Sequence, residues 1–414
     1  MSQLTVALLG KSLIDWGGGI DFLRNCANAL LHAEADRSVQ PVLLLPKATF
    51  QSEMGRYAKP LKNMAKELLS LKLPGFYWEK PVELQSVIDS FQNLNGDLPF
   101  VLYADSFSGL CKGLQETGAD VVLPVSESLG RSFPVPWLGY VPDVQHRHLP
   151  QYFTPVGCRI RDMKIRKLLS EAKGLIVNSR NAGDDLEKFY GAGNCRIFAL
   201  PFAPLPVEEW FEDGWEECRI KYTLPERFFL ISNQFWVHKS HITAFDALAE
   251  VVKRHDVHIL CTGKPGDPRA PGYYDELLRK IRDLSLEQRV HILGYIPKKD
   301  QIQIMKKAVA VIQPTLFEGG PGGGAVYDAV ALGVPAIISD IPVNREIDEE
   351  GVSFFTTGSS ADLALKMSEI LVRGPRHPEP ADRLREKGKI RAERLAAKLV
   401  EAVEFVVNAQ ESQV

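Results

Sequence analysis

The chain has no run of apolar residues near the roughly 20 that a bilayer-spanning helix needs. No basic cluster precedes its first apolar run at residues 4–9, so that run reads as a β-strand rather than a signal peptide. Cysteine is sparse: six in 414 residues (Cys26, Cys111, Cys158, Cys195, Cys218, Cys261), with no C-x-x-C spacing. That excludes a zinc ribbon and a disulfide framework, and fits buried free thiols in a reducing compartment. The formal net charge is only -3, so no overall field draws nucleic acid. No G-x-G-x-x-G follows the first strand, which argues against a nicotinamide dehydrogenase. No Asp-x-Asp pair occurs either, so a metal bridging a diphosphate is not supported. These absences predict a cytoplasmic protein with no metal, no cofactor and no nucleic-acid partner. Peripheral contact with the inner membrane stays open.

What is present is an ordinary globular balance, 45% hydrophobic and 24% charged, in which short apolar runs alternate with helical patterns. Strands are predicted at 4–9, 41–45, 100–103, 121–125, 137–141 and 174–178, with helices at 21–33 and 182–190. Three prolines between residues 201 and 206 then break the pattern, since proline continues neither a helix nor a central strand. A second series follows: strands at 228–232, 257–261, 290–292, 308–312 and 336–339, and helices at 241–255, 299–307 and 325–332. Residues 382–408 read as a long terminal helix. The expectation is an α/β protein of two Rossmann-like domains, 1–203 and 204–385, with 386–414 as a C-terminal helix crossing back to the first domain. Two such halves on a proline linker are expected to face one another across a cleft.

In open parallel sheets, ligands bind beyond the carboxyl ends of the strands, and the unusual residues cluster there. The most distinctive is the turn after 308–312, where five glycines fall within six residues: Gly319, Gly320, Pro321, Gly322, Gly323, Gly324. Such a turn lets backbone N–H groups approach a ligand, and a following helix aims its positive end at it, as suits a diphosphate. Glu318 before the turn is placed to accept hydrogen bonds from sugar hydroxyls, and Asp328 one helical turn later to bind a ribose diol. The alternative is a flexible strand–helix loop. Lys239, a few residues past the strand at 228–232, is the natural cation for the same phosphates, or else a solvated lysine. Gly18 and Gly19 follow the first strand and either admit phosphate or sugar or make a tight turn. Asp143 and His146 share one loop and are the best acid–base candidates. Two basic stretches, one from Arg56 to Lys72 and one from Arg159 to Lys167, suit anionic lipid headgroups or a lipid diphosphate, or are solvated helix faces.

These residues carry a resemblance. The stretches FFLISNQFWVHKSHITAFDAL and RVHILGYIPKKDQIQIMKKAVAVIQPTLFEGGPGGGAVYDAVALGVPAIISD resemble the GT-B-fold glycosyltransferases of retaining family four. VPDVQHRHLPQYF and AKGLIVNSRNAGDDLEKFYG are similar to a bacterial branch associated with cell-surface polysaccharides. The chain departs from that family in three places. Nine residues rather than seven separate its two acids, Glu318 and Asp328. Gln234 stands where the family has a phosphate-binding arginine, and Pro142 stands where it often has a histidine.

The resemblance implies a retaining transfer of a hexose, mannose from GDP-mannose being the first guess. It implies a glycan or lipid-linked glycan as the acceptor. It also implies that the base meets backbone at Gly294, Tyr295 and Ile296. Two rivals share the architecture, a sugar-nucleotide 2-epimerase and a non-catalytic nucleotide or glycan sensor.

Overall fold

The computed structural model describes residues 3–15, 17–33, 39–47, 84–92, 94, 96–191, 193–374 and 377–411. The chain builds two parallel sheets. The first contains β1 (Leu4–Leu9), β2 (Val39–Lys47), β3 (Phe100–Ala104), β4 (Val121–Val125), β5 (Trp137–Val141), β6 (Gly174–Val177) and β7 (Arg196–Ala199), in the order β3-β2-β1-β4-β5-β6-β7. The second contains β8 (Phe228–Ser232), β9 (His258–Thr262), β10 (Val290–Gly294), β11 (Val311–Gln313), β12 (Ala336–Ser339) and β13 (Val352–Phe355), in the order β10-β9-β8-β11-β12-β13. Strand order reverses between β1 and β4 in the first sheet and between β8 and β11 in the second. At such a reversal the two neighbouring loops diverge to opposite faces and leave a crevice. The architecture is therefore the α/β fold with two Rossmann-like sheets that the alternating pattern predicted.

Helices connect the strands and follow the last of them. They are α1 (Gly17–Ala33), α2 (Leu84–Asp89), α3 (Phe107–Thr117), α4 (Gln145–His148), α5 (Pro155–Glu171) and α6 (Arg180–Tyr190). Then come α7 (Trp215–Tyr222), α8 (His241–Val251), α9 (Tyr273–Asp283), α10 (Lys298–Lys307), α11 (Gly323–Ala331), α12 (Ser360–Arg373) and α13 (Ala381–Glu411). Two compact units result. One comprises residues 1–139, 172–174 and 399–414; the other comprises 140–171 and 175–398. In the first unit, Val6–Leu9, Leu43–Leu45 and Val121–Leu123 form a buried interior, with Leu23, Ala27 and Leu30 buried on α1. Strands buried on both faces read as continuous apolar runs, which is why these were legible. In the second unit, one core cluster gathers Phe229, Ile231, Phe235, Leu248, Ile259 and Met367. Another gathers Phe228, Leu230, Ile302, Met305, Ala325 and Ala329 on the opposite face of the same sheet.

Three differences from the sequence expectation matter. Helix α1 starts at Gly17 rather than at 21, so Gly18 and Gly19 form its first turn instead of a loop ahead of it. Strand β11 starts at Val311 rather than at 308, because Ala308 still closes α10, its N–H bonded to Ile304 and Met305 carbonyls. Several elements went unseen, among them β7, β13, α5, α9 and α12. The basic stretch from Arg56 to Lys72 lies outside the described residues. The second, from Arg159 to Lys167, lies on α5. Of the six thiols, all free, four are buried and Cys111 and Cys158 are half-buried.

Candidate active site

The glycine turn after β11 is shaped chiefly by the protein itself. A Cβ on Gly319 would stand 2.3 Å from the Pro142 carbonyl oxygen, and one on Gly320 3.0 Å from Asn178. Gly322 and Gly323 adopt φ of 69° and 65°, a left-handed backbone that other residues avoid. Gly324 differs: a Cβ there meets nothing within 4 Å, and its φ is unexceptional. Buried polar side chains hold the turn. Gln313, at the end of β11, donates from Nε2 to the Gly322 carbonyl (2.9 Å) and to Glu318 Oε1 (2.9 Å). Asn344 accepts the Gly322 N–H at 2.8 Å and donates to the Ser339 carbonyl at 2.8 Å. Helix α11 then opens at Gly323, with Gly322 as its N-cap and no side chain capping it. The first-turn N–H groups of a helix lack intrahelical partners and carry its positive partial charge.

Lys239 arrives from the loop after β8, at the end of the short 3₁₀ turn Val237–Lys239. Its ammonium donates to Glu318 Oε1 at 2.5 Å, and both side chains are only 11% exposed. The two residues singled out as phosphate cation and sugar acceptor are thus direct partners. Their loops are also tied through backbone. The Leu316 N–H and Thr315 hydroxyl both donate to the His238 carbonyl, at 2.7 and 3.2 Å. Asn233 bonds Gln313 side chain to side chain beneath them. Gln234 is occupied elsewhere: its Oε1 accepts the Lys264 N–H at 2.9 Å.

The segment after β5 packs against the glycine turn. Besides the Pro142 contact, a Gly319 Cβ would lie 2.7 Å from Asp143 Cβ, and the Ser179 hydroxyl donates to the Gly319 carbonyl at 3.1 Å. Asp143 Oδ1 accepts the Gln145 N–H at 2.9 Å and so starts α4. His146 is buried at 1% exposure, its Nε2 2.9 Å from Asp162 and 3.0 Å from the Tyr190 hydroxyl. Burial opposes ionisation of Asp162, but hydrogen bonds from Tyr190 and His146 and the charge of Arg147 outweigh it and lower its pKa. Burial and the hydrogen bond to Asp162 push the Tyr190 phenol up to about 12. His148, two residues on, keeps about a third of its side chain exposed and bonds Asp185 at 2.7 Å.

Arg269 carried no signal in the sequence, yet it clamps this region. It pairs with buried Asp267 and donates to Gln145 Oε1 at 2.9 Å and His238 Nδ1 at 3.3 Å. Its guanidinium also stacks over Trp236, 5.0 Å from the ring centroid. Desolvation, then the charges of Lys239 and Arg269, depress the His238 pKa to about 2, so it accepts from Arg269 as a neutral ring.

Asp328 lies inside α11 at 6% exposure and pairs with Lys298 at the start of α10. Lys298 was not among the candidates either; its ammonium also sits 5.5 Å from the Trp210 ring. At the end of β10, Gly294 takes φ 70° with open space at its Cβ. Tyr295 is 80% exposed and Ile296 is buried. The second unit therefore brings together Asp143, Lys239, Glu318 and the glycine turn, while the His146 ring is turned to Asp162 and Tyr190 on α5 and α6. Gly18 and Gly19 belong to the first unit, Gly18 exposed and Gly19 buried. Among the described residues no group of three or more His, Cys, Asp or Glu is arranged to hold a metal ion.

Residues 218–391, which include Lys239, Glu318, the glycine turn and Asp328, match the family model described as glycosyl transferases group 1. Over this stretch the chain is similar to the group 1 glycosyl transferases. No curated protein sequence matches the chain. Solved structures share its fold end to end. Sucrose-phosphate synthase from Thermosynechococcus elongatus superposes with a TM-score of 0.57 at 17% identity, covering 99% of this chain and 98% of that one. Anabaena HepE, in complex with UDP and glucose, gives 0.57 at 16% identity, with the same coverage. WaaG, a glycosyltransferase involved in lipopolysaccharide biosynthesis, gives 0.52 at 15% identity, covering 98% of this chain and 99% of that one. At such identities the likeness establishes the GT-B fold.

Proposed function

We propose that the protein is a retaining hexosyltransferase. It moves a hexose from a nucleoside-diphosphate donor to a glycan or lipid-linked glycan in cell-surface polysaccharide synthesis. The observation that carries this reading is the Lys239–Glu318 pair at the mouth of the glycine turn, ahead of the uncapped start of α11. A diphosphate resting on that helix start offers Lys239 a stronger anionic partner. Glu318, released from the ammonium, is then free to accept hydrogen bonds from sugar hydroxyls. Gly324, which the fold does not require to be glycine, leaves room for the phosphate oxygens.

The nucleoside lies toward Gly294–Ile296, with Asp328 at the ribose once Lys298 is displaced or shared. Residues 204–385 form the donor side and residues 1–203, with Gly18 and Gly19, the acceptor side. As the glycosidic bond breaks, negative charge grows on the leaving phosphate. The α11 amides are held by the helix start, and Lys239 adds its charge once it exchanges Glu318 for the phosphate. With Gln234 bonded to backbone, Lys239 carries more of that stabilisation than a lysine beside an arginine would. The family likeness supplies retention of configuration, and the lack of an Asp-x-Asp pair argues for independence of metal, so a chelator should leave the rate unchanged. It also supplies GDP-mannose as first donor. HepE structures hold UDP-glucose, which makes that the donor to test against it.

The decisive measurement is binding of UDP and GDP by calorimetry, followed by transfer or hydrolysis of the matching sugar nucleotides. Lys239→Ala and Glu318→Ala should each lower kcat about 10²–10³-fold. Wild-type rates in both variants would show that the site is elsewhere.

Helix α5 supports the membrane-proximal part of the reading. Val156, Ile160 and Met163 form one exposed stripe, 43–62% exposed, bordered by exposed Arg159 and Lys167. The opposite face buries Ile165, Leu168 and Leu169. An apolar stripe edged by cations suits the headgroup region of an anionic bilayer. Sedimentation with phosphatidylglycerol vesicles should be lost in an Ile160→Ser, Met163→Ser double variant, and should be weak with phosphatidylcholine vesicles. Equal recovery of the variant would remove α5 from the reading.

A further inference from the structure

The two histidines flanking Arg147 have opposite surroundings. His146 is sealed in the interior, and its Nδ1 has no hydrogen-bond partner there. His148 is the accessible one. Its Nε2 lies 2.7 Å from Oδ2 of Asp185, a carboxylate on α6 that is itself only 9% exposed. With the Nε2 proton donated to that carboxylate, the Nδ1 lone pair is left free, and no described residue bonds it. The ring is wedged between Phe189, edge-on at 5.4 Å, and Phe317, at 5.3 Å. Phe317 directly precedes Glu318, so its backbone fixes both the wall behind His148 and the carboxylate beside the donor. A carboxylate holding one nitrogen of a ring that stays a third exposed is the arrangement that stabilises an imidazolium once it forms.

We infer that His148, oriented by Asp185, is the proton acceptor for the attacking hydroxyl. This rests on the glycosyltransferase reading above and deepens it. The acceptor hydroxyl bonds Nδ1 and attacks the anomeric carbon from the face of the leaving group. A bond forms between that carbon and the acceptor oxygen while its bond to the phosphate oxygen breaks. The hydroxyl proton passes to Nδ1, the nucleoside diphosphate departs as the anion, and the imidazolium is held by Asp185 until it loses the proton to water. His148 is the catalytic residue of the pair, and Asp185 the positioning one.

The test uses the full-length protein with sugar-nucleotide hydrolysis, in which water takes the acceptor's place. His148→Ala and Asp185→Asn should leave Kd for UDP or GDP within about twofold. His148→Ala should lower kcat for hydrolysis of the bound sugar nucleotide by about 100-fold or more with little change in KM, and added imidazole should restore part of the rate. Asp185→Asn, which keeps the side chain's shape, should also lower kcat, with no rescue by imidazole. Unchanged kcat in His148→Ala, or a loss that imidazole does not relieve while Asp185→Asn runs at the wild-type rate, overturns the assignment. If the wild-type protein binds neither UDP nor GDP, the donor reading fails first and this one falls with it.

Discussion

At the scale of single residues, the glycine turn shows how one sequence motif holds two kinds of glycine. Gly319 and Gly320 are glycine because Pro142 and Asn178 stand where a side chain would go, and Gly322 and Gly323 because the backbone turns left-handed. Only Gly324 is free of both demands. Gly319→Ala should therefore cost about 1–3 kcal/mol of stability through overpacking against backbone that cannot yield. Gly324→Ala should leave the protein as stable or up to about 1 kcal/mol more stable, since alanine suits a helical turn better. That same variant should weaken UDP or GDP binding, because its methyl group fills the space left for the phosphates. Chemical denaturation and calorimetry on the two variants check both halves. The five-glycine run marked this turn from the sequence alone. The division of labour within it depends on neighbours more than 100 residues away in the chain, which no local pattern displays.

At the scale of elements, the first half of α13 packs on the proline segment that the sequence marked as a linker. Gly388 faces Pro206 so closely that a Cβ would lie 2.6 Å from its ring. Three residues on, Arg391 is 6% exposed, makes two bonds to Glu349 at 2.7 and 2.6 Å, and reaches the Pro204 carbonyl at 3.5 Å. A bidentate pair this enclosed leaves a stranded carboxylate if the arginine is removed, a loss of about 3 kcal/mol. Arg391→Ala should lower the thermal midpoint accordingly. Arg391→Ala combined with Glu349→Ala should recover part of it, a non-additivity that a double-mutant cycle measures. The helix was legible from its Ala, Leu, Glu, Lys and Arg composition. Its docking was not, because a salt bridge 42 residues apart has no periodicity. The same limit hid α5 and α9, whose exposed faces interrupt the apolar pattern, and Arg269, which acts through partners on three other segments.

At the scale of the whole molecule, buried histidines set the response to acid. His241 is fully enclosed, stacked on Phe235 at 4.5 Å with neither ring nitrogen bonded. Burial, reinforced by the Lys239 charge, depresses its pKa to about 3, and His238 falls to about 2 for similar reasons. In the unfolded chain both return to about 6.5. Between that value and the folded ones, the unfolded state binds protons that the folded state refuses, so stability falls as pH falls. Each histidine should remove roughly 2 kcal/mol between pH 6.5 and 5, at about 1.4 kcal/mol per pH unit. Urea midpoints at pH 7.5 and 5.0 should show the drop, and His241→Phe should make it smaller. An equally steep drop in that variant would place the acid sensitivity elsewhere.

The sequence by itself determined the class of fold and the position of the glycine turn. Doubly buried parallel strands must be continuous apolar runs, and a chain must use glycine where its backbone turns tightly at a helix start. Tertiary structure alone decided which charges meet. Lys239 pairs with Glu318, Lys298 with Asp328, and Asp185 with His148 rather than His146. Each pair joins loops or helices separated by tens of residues, and their distance is fixed by how the strands are ordered in a sheet, which spacing along the chain does not encode.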